Sequence, residues 1–282
     1  MKWVIETKLQ KKHTVSRKLI ATMNAKKILL KSNLLKWYLE HGLVVTKIYD
    51  YIPAEKAKIY EDFVNWVSDA RRLGDVKKEY AIKADNCKNI GNSGYGNTIM
   101  DKTRHKTCKY VDEKQFNKMK NGFWFYDADE YNHKFEVIMS KKTIKQDTPV
   151  QVGFGILQDA KLRMLQFRYD CLDKYIDRSN YQLIQMDTDS NYMALAGESF
   201  EELVKPHMRE EFEKDNHNWF PRPDTPANNK YDQRTPGLFK EEKVGESMIA
   251  LCSKTNYLLR GNNKNKITCK GAQKQRNSEE LC

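Results

Sequence analysis

Two short runs of this chain hold the side chains best suited to chemistry. The first is Asp187-Thr188-Asp189-Ser190, set inside YQLIQMDTDSNYMAL. Residues two apart on a strand share a face, so Asp187 and Asp189 can present both carboxylates on one side of a hairpin tip. Hard oxygen donors at an exposed tip, backed by Leu183, Ile184 and Met186, suit Mg²⁺ or Mn²⁺. Taken alone, the run also reads as an ordinary acidic turn, since Asp and Ser are common turn formers. The second run is Lys88, Asn92, Ser93, Tyr95 and Gly96. Lys88, Asn92 and Tyr95 are spaced to share one helical face. Gly91, Gly94 and Gly96 crowd the same turns, although each glycine costs a helix roughly 1 kcal/mol against alanine. Close approach of a flat ligand would justify that cost, with a cation for phosphates, an amide and an aromatic ring around it. The bland alternative is a glycine-rich helix end with a solvated lysine.

The elements that must position these residues follow from periodicity and punctuation. Residues 26–52 read as strand (KKILLK), helix (SNLLKWYLEHG) and strand (LVVTKIYDYI), with Ser32 as N-cap and Gly42 as the helix stop. Leu34, Leu35, Tyr38 and Leu39 form the apolar face of that helix. A second helix is expected over 54–72, with Ile59, Phe63, Trp66 and Val67 at helical spacing. A third begins near Asp75 and carries the Lys88 run. Residues 106–148 read as short strands around FWFYDADEY, with a polar helix near 112–120. Pro149 opens a strong helix. Its stripe Val152, Ile156, Ala160, Met164, Phe167 and Cys171 predicts one continuous buried face. The acidic run then sits in a β-hairpin. Residues 214–236, rich in proline, read as an irregular loop, and GLFKEEKVGESMIALCSKTNYLL as a run of strands ending in a polar, basic tail.

Composition narrows the class of partner. The 282 residues carry 50 Lys+Arg against 38 Asp+Glu, a formal charge of +12. Such an excess favours a polyanion, because each neutralised phosphate releases condensed counterions. Six scattered cysteines, without a CxxC pair or histidines at zinc spacing, point to reduced thiols and an intracellular setting. The charged start, MKWVIETKLQKKH, is not a signal peptide, and no apolar run approaches a membrane span.

In this order, the two runs resemble motifs B and C of the family B DNA polymerases: K-x-x-x-N-S-x-Y-G, then DTDS about ninety residues on. TPVQVGFGILQDAKLRM, running to FRYD, resembles the palm helix of the protein-primed viral and organellar branch. GLFKEEKVGESMIALCSKTNYL resembles that branch's strands after motif C and its lysine motif, KITCKGAQK the segment beyond, and RKLIATMNAKKILLKSNLLKWYLEHGL the stretch before motif B. The resemblance implies an α+β fold: a palm of antiparallel sheet and packed helices, helical fingers and the beginning of a thumb. Residues 1–73 would be the palm stretch leading to the fingers, 74–105 the fingers helix, 106–250 the palm with an insertion and motif C, and 251–282 the start of the thumb.

The implied activity is template-directed nucleotidyl transfer from dNTPs to a DNA or protein primer, using two Mg²⁺ ions or Mn²⁺. By position, the resemblance gives Asp187 and Asp189 to the metals and to catalysis, with Thr188 and Ser190 supporting the turn. It gives Lys88 to the triphosphate, Asn92 to nucleotide orientation and Tyr95 to the nascent pair. Lys254, Tyr257 and Lys270 fall to primer-template DNA. A priming protein is the further partner of that branch; a membrane is not one. One nucleotide touching all these groups needs Lys88 and the carboxylates separated by on the order of 10 Å.

Two departures stand out. The lysine motif, usually K-x-Y, reads Lys254-Thr255-Asn256-Tyr257, and no D-x-x-S-L-Y-P segment (motif A) precedes motif B. Asp50-Tyr51-Ile52-Pro53 lacks the required ending. The chain alone is therefore expected to be a fragment that polymerises poorly or not at all. A non-catalytic polymerase remnant that only binds nucleic acid is the alternative. A glycosyltransferase with a D-x-D turn ranks below both, because it leaves Lys88, Tyr95 and the basic end without a role.

Overall fold

The computed structural model describes residues 26–55, 57–252, 254–260 and 265–269. These residues form a mixed α+β structure of seven helices and three small antiparallel sheets. Among them, no helix is long and apolar enough to cross a membrane, and Cys87, Cys108, Cys171 and Cys269 are free thiols.

Helix α1 (Ser32–Glu40) stops at Gly42, whose φ of 85° is the left-handed conformation that glycine adopts without penalty. Two sequence expectations shift by a residue or more here. Lys31, not Ser32, is the N-cap, and it makes no side-chain capping bond. The buried face is Leu34 and Trp37, while Leu39 is exposed. Trp37 decides the face because its indole N–H finds a carboxylate on a distant helix, donating to Asp170 Oδ2 at 2.8 Å. The flanking segments 26–31 and 43–52 are not strands. A strand needs a neighbour to complete its ladder, and among the described residues neither segment finds one, so Val44, Ile48, Tyr51 and Ile52 stay exposed.

His41 closes α1 onto the same acid. Its Nε2 lies 2.8 Å from Asp170 Oδ1 and its Nδ1 2.8 Å from the Trp37 carbonyl, while the ring stacks on Trp37. Both nitrogens face acceptors, so the arrangement is complete only when the imidazole carries two protons. Burial pulls the His41 pKa down, but the bonds to the Trp37 carbonyl and Asp170 outweigh it, and the net shift is upward. A raised folded pKa adds stability that is fully present below the unfolded value of about 6.5 and is lost as pH rises through the folded value. Docking of α1 should therefore loosen as pH rises through the raised His41 value. Trp37 fluorescence followed from pH 5 to 9 should titrate in the wild type and not in His41→Gln; equal profiles would refute the latch.

Helices α2 (Glu61–Val76) and α3 (Ala81–Thr98) form an antiparallel pair joined by a 3₁₀ turn over Lys78–Tyr80. Glu61 and Asp62 occupy the first turn of α2, where acidic side chains favour the helix dipole. That signal puts the start at 61 rather than 54. Gly74 lets the two helices meet, since a Cβ there would collide with Ala84. Strands β1 (Lys106–Val111), β2 (Phe125–Tyr131) and β3 (Lys134–Ser140) make a sheet in the order β1-β3-β2. Asn132 and His133, both at positive φ, turn β2 into β3 as a two-residue hairpin requires. Helix α4 (Glu113–Met119) lays Phe116 flat on Phe135 at 4.2 Å, beside the fully buried Val137.

Helix α5 (Val150–Gln166) follows Pro149 and runs on through a π-helical stretch (Phe167–Leu172) and a closing turn (Asp173–Tyr175). Its stripe is not buried throughout. Ile156 is exposed and Val152 and Ala160 only half-buried, whereas Met164, Phe167 and Cys171 are buried. The difference lies in what packs against each half. The C-terminal half meets the main core of Leu172, Tyr175, Ile176, Val204, Phe212 and Trp219. The N-terminal half meets the end of α3 at Gly153, where a Cβ would overlap Thr98 and Ile99. Gly153→Val should cost about 1–3 kcal/mol by overpacking, measured by urea unfolding; an unchanged midpoint would show that the site has room for a larger side chain.

The expected loop over 214–236 is partly helical. Helices α6 (Arg209–Asp215) and α7 (Pro226–Asp232) flank an irregular turn, and Thr225 caps α7 by accepting from the Asn228 N–H at 3.1 Å. The strands expected from 237 begin only at β6 (Ser247–Cys252), which pairs with β7 (Thr255–Leu259), and β7 with β8 (Lys266–Cys269). The acidic run joins β4 (Tyr181–Met186) to β5 (Asn191–Leu195), as the alternating pattern predicts. Tyr181, Leu183 and Met193 face the core, leaving Ile184 and Met186 exposed on the outer side.

Candidate functional site

Core anchoring of β4 and β5 fixes where their connecting turn projects. Met186 pairs with Asn191, so Asp187, Thr188, Asp189 and Ser190 form the tip, closed by the Asp187 N–H donating to the Ser190 carbonyl at 2.9 Å. The Asp187 carboxylate is engaged at both oxygens. Oδ1 accepts from the Thr188 N–H at 2.8 Å, and Oδ2 lies 2.9 Å from Lys254 Nζ. The Lys254 ammonium, and then the Thr188 N–H, hold the Asp187 carboxyl below its ordinary pKa. Asp189 differs: it is exposed and makes no hydrogen bond or ion pair among the described residues.

Lys254 reaches the acid from a second hairpin tip. Cys252 pairs with Thr255 where β6 gives way to β7, and Lys254 takes a left-handed φ of 63° there. A non-glycine residue in that region costs of order 1 kcal/mol and persists where surrounding structure holds it. Asn256 supplies part of that hold. It is 5% exposed and its Nδ2 donates to Gln185 Oε1 on β4 at 3.3 Å. The two hairpins are thus joined by a part-buried amide pair, with an ion pair at their tips.

Strand parity decides the fate of Tyr257. Successive side chains on a strand point to opposite faces, so with Asn256 turned toward β4, Tyr257 is on the other face of β7. There its hydroxyl accepts from Asn265 Nδ2 at 2.9 Å. Tyr257 therefore does not share the face by which Asn256 meets the acidic hairpin, since a shift of one residue along a strand changes the face. Asn256 and Gln185 are the residues that sequence reasoning missed. Counting alternate positions from Tyr181 and Leu183 reaches Gln185, whereas β7 carries no alternation that marks Asn256. Lys270, the third expected DNA contact, lies outside the described residues.

On α3, Lys88 and Asn92 are exposed and Tyr95 is half-buried. Among the described residues, no side-chain hydrogen bond or ion pair joins these three to the acidic turn. The packed face of α3 is one residue round from them, with Cys87 and Thr98 buried and Gly91 and Gly94 against Val67 and Phe63 of α2. Two of the three glycines therefore face a helix rather than a ligand. Only Gly96 opens on free space. At Gly91 and Gly94 a methyl group would make ordinary contacts of 3.5–3.8 Å with α2, so packing on that helix does not itself require glycine.

Hard carboxylate oxygens, one set unengaged and the other already drawing a cation, are a donor set that fits a divalent ion. Among the described residues no group of three or more His, Cys, Asp or Glu completes a protein-only cage. An open cleft of about 630 Å³ lies elsewhere, among Arg163, Asn218, Arg222, Asp232 and Gly237. Its cations are already used: Arg163 donates to the Gly237 and Asn218 carbonyls, and Arg222 grips Asp232. In comparisons with protein-family models, curated proteins and solved structures, nothing matches the chain.

Proposed function

We propose that this chain is part of a DNA polymerase of the family B type. In this reading it supplies the motif C carboxylates, the nucleotide-facing helix and a primer-gripping lysine for nucleotidyl transfer. The observation that carries the reading is the meeting of the DTDS tip with the Lys254 tip, two segments far apart in sequence that the resemblance assigns to one active site. Asp187 and Asp189 would hold Mg²⁺ or Mn²⁺. Such ions lower the pKa of the attacking hydroxyl and neutralise charge on the leaving pyrophosphate. The chain's own residues position the reactants. Lys88 offers a charge to the triphosphate, Asn92 and Tyr95 an amide and a ring to the nucleotide, and Lys254 a charge to a backbone phosphate.

A second reading keeps the nucleic-acid partner and drops the chemistry. It is favoured by Lys254 resting on Asp187 and by the lack of a third acid at the turn among the described residues. Single-nucleotide extension of a primer-template separates the two, using a longer chain that supplies a D-x-x-S-L-Y-P segment. Mn²⁺-dependent incorporation supports the enzyme; DNA binding without incorporation supports the binding protein; binding of a UDP-sugar instead of a dNTP would refute both. Nucleic-acid affinity should be largely electrostatic and weakly dependent on sequence. With Mn²⁺ present, Lys254→Ala should lower the salt slope of binding by roughly 0.9, the share of a single neutralised phosphate. An unchanged slope would remove Lys254 from the DNA path.

A further inference from the structure

We infer that Lys254 is an exchangeable counterion: it occupies Asp187 until a nucleic-acid phosphate draws it away, so that polyanion and divalent cation bind this turn cooperatively. The inference rests on the metal-binding reading of the acidic turn and adds to it a coupling between two ligands.

Three features of the two tips support it. One oxygen of Asp187 is held by the backbone and the other by the Lys254 ammonium at 2.9 Å, so in this state Asp189 is the only turn carboxylate without a partner among the described residues. A divalent ion coordinated by Asp187 would lie within a few ångströms of that ammonium, where like charges repel strongly. The lysine is also free to leave. Its side chain is 41% exposed and that of Asp187 29%, and a solvated ion pair of this kind is weak enough to exchange. Finally, the backbone carrying Lys254 does not depend on the ion pair. The β6–β7 register and the part-buried Asn256–Gln185 contact hold the tip in place, so only the side chain need swing.

A phosphodiester that captures Lys254 releases Asp187 for the metal, and a metal on Asp187 releases Lys254 for the phosphate. Because the coupling is thermodynamic, each ligand must raise the affinity of the other by the same factor. In the ligand-free chain the lysine guards the turn against adventitious cations.

The test is Mn²⁺ binding to the full chain, read by electron paramagnetic resonance, with and without saturating dT12. Mn²⁺ taken up by the oligonucleotide alone is subtracted. Wild type should bind Mn²⁺ on the order of tenfold more tightly once dT12 is present, within the usual range of allosteric coupling. Lys254→Met should bind Mn²⁺ that tightly without DNA and change less than twofold when it is added. Asp187→Asn, which frees Lys254 by a different route, should bind dT12 more tightly than wild type in EDTA. Mn²⁺ bound equally by wild type and Lys254→Met, with no effect of dT12, overturns the exchange while leaving the metal reading standing. Mn²⁺ bound by neither protein refutes the metal reading itself.

Discussion

Asp189→Asn is expected to abolish nucleotide incorporation by a chain carrying the complete set of catalytic carboxylates, by on the order of 10³-fold or more. This is the scale on which loss of a transition-state charge stabiliser is felt. The reason lies in how differently the two turn carboxylates are committed. Asp187 has partners at both oxygens, whereas Asp189 is exposed and has none among the described residues. An amide at 189 keeps the shape of the side chain but loses the negative charge that a hard cation needs. DNA affinity in EDTA should stay within about twofold, since neutralising a surface acid changes little besides local charge. Incorporation within tenfold of wild type would exclude Asp189 as a metal ligand, and a matching loss of DNA binding would point to a damaged fold instead.

The second large effect is on stability. Phe167 begins the π-helical stretch after α5, is 2% exposed, and stacks on Phe239 at 4.0 Å with Trp219 and Phe220 at its edges. It joins the helix to the loop beyond α7 through one aromatic cluster, so its removal leaves a cavity in the main core. Phe167→Ala should cost about 3–5 kcal/mol, a large part of the roughly 5–15 kcal/mol that holds a typical domain together. Thermal unfolding followed by circular dichroism should move down by about 10 °C or lose its cooperativity. Phe123→Ala, at a site 89% exposed, is the control and should leave the transition in place. Equal transitions for the two variants would mean that the aromatic cluster is not the core.

Much of the local structure was legible in the sequence. The hairpin around the acidic turn, the helix opened by Pro149, the polar helix near 112–120 and the helix stop at Gly42 all occur where pattern and punctuation put them. Each depends on neighbours within a few residues, through alternation, a proline just ahead of a helix or a glycine at positive φ. The misreadings share a cause. Segments 26–31 and 43–52 have the composition of strands, but a strand exists only when another segment completes its hydrogen bonds, and composition does not name that segment. The helical stripe from Val152 to Cys171 has one periodicity along its length. Whether it is buried depends on what lies opposite, and that changes between Ala160 and Met164.

The candidate site divides in the same way. The residue types and spacing of Asp187 and Asp189, and of Lys88, Asn92 and Tyr95, were readable as chemistry because shared faces follow from the strand and helix periods alone. That Lys254 rests on Asp187, that Asn256 rather than Tyr257 turns toward the acidic hairpin, and that Gly91 and Gly94 face α2 were decided by the tertiary structure. Each is a meeting of segments distant along the chain, and a one-residue change in strand register would reverse it. The sequence by itself determined which side chains stand together on each element; only the packing of element against element determined which of them meet a partner, because burial and pairing are properties of two surfaces and not of one.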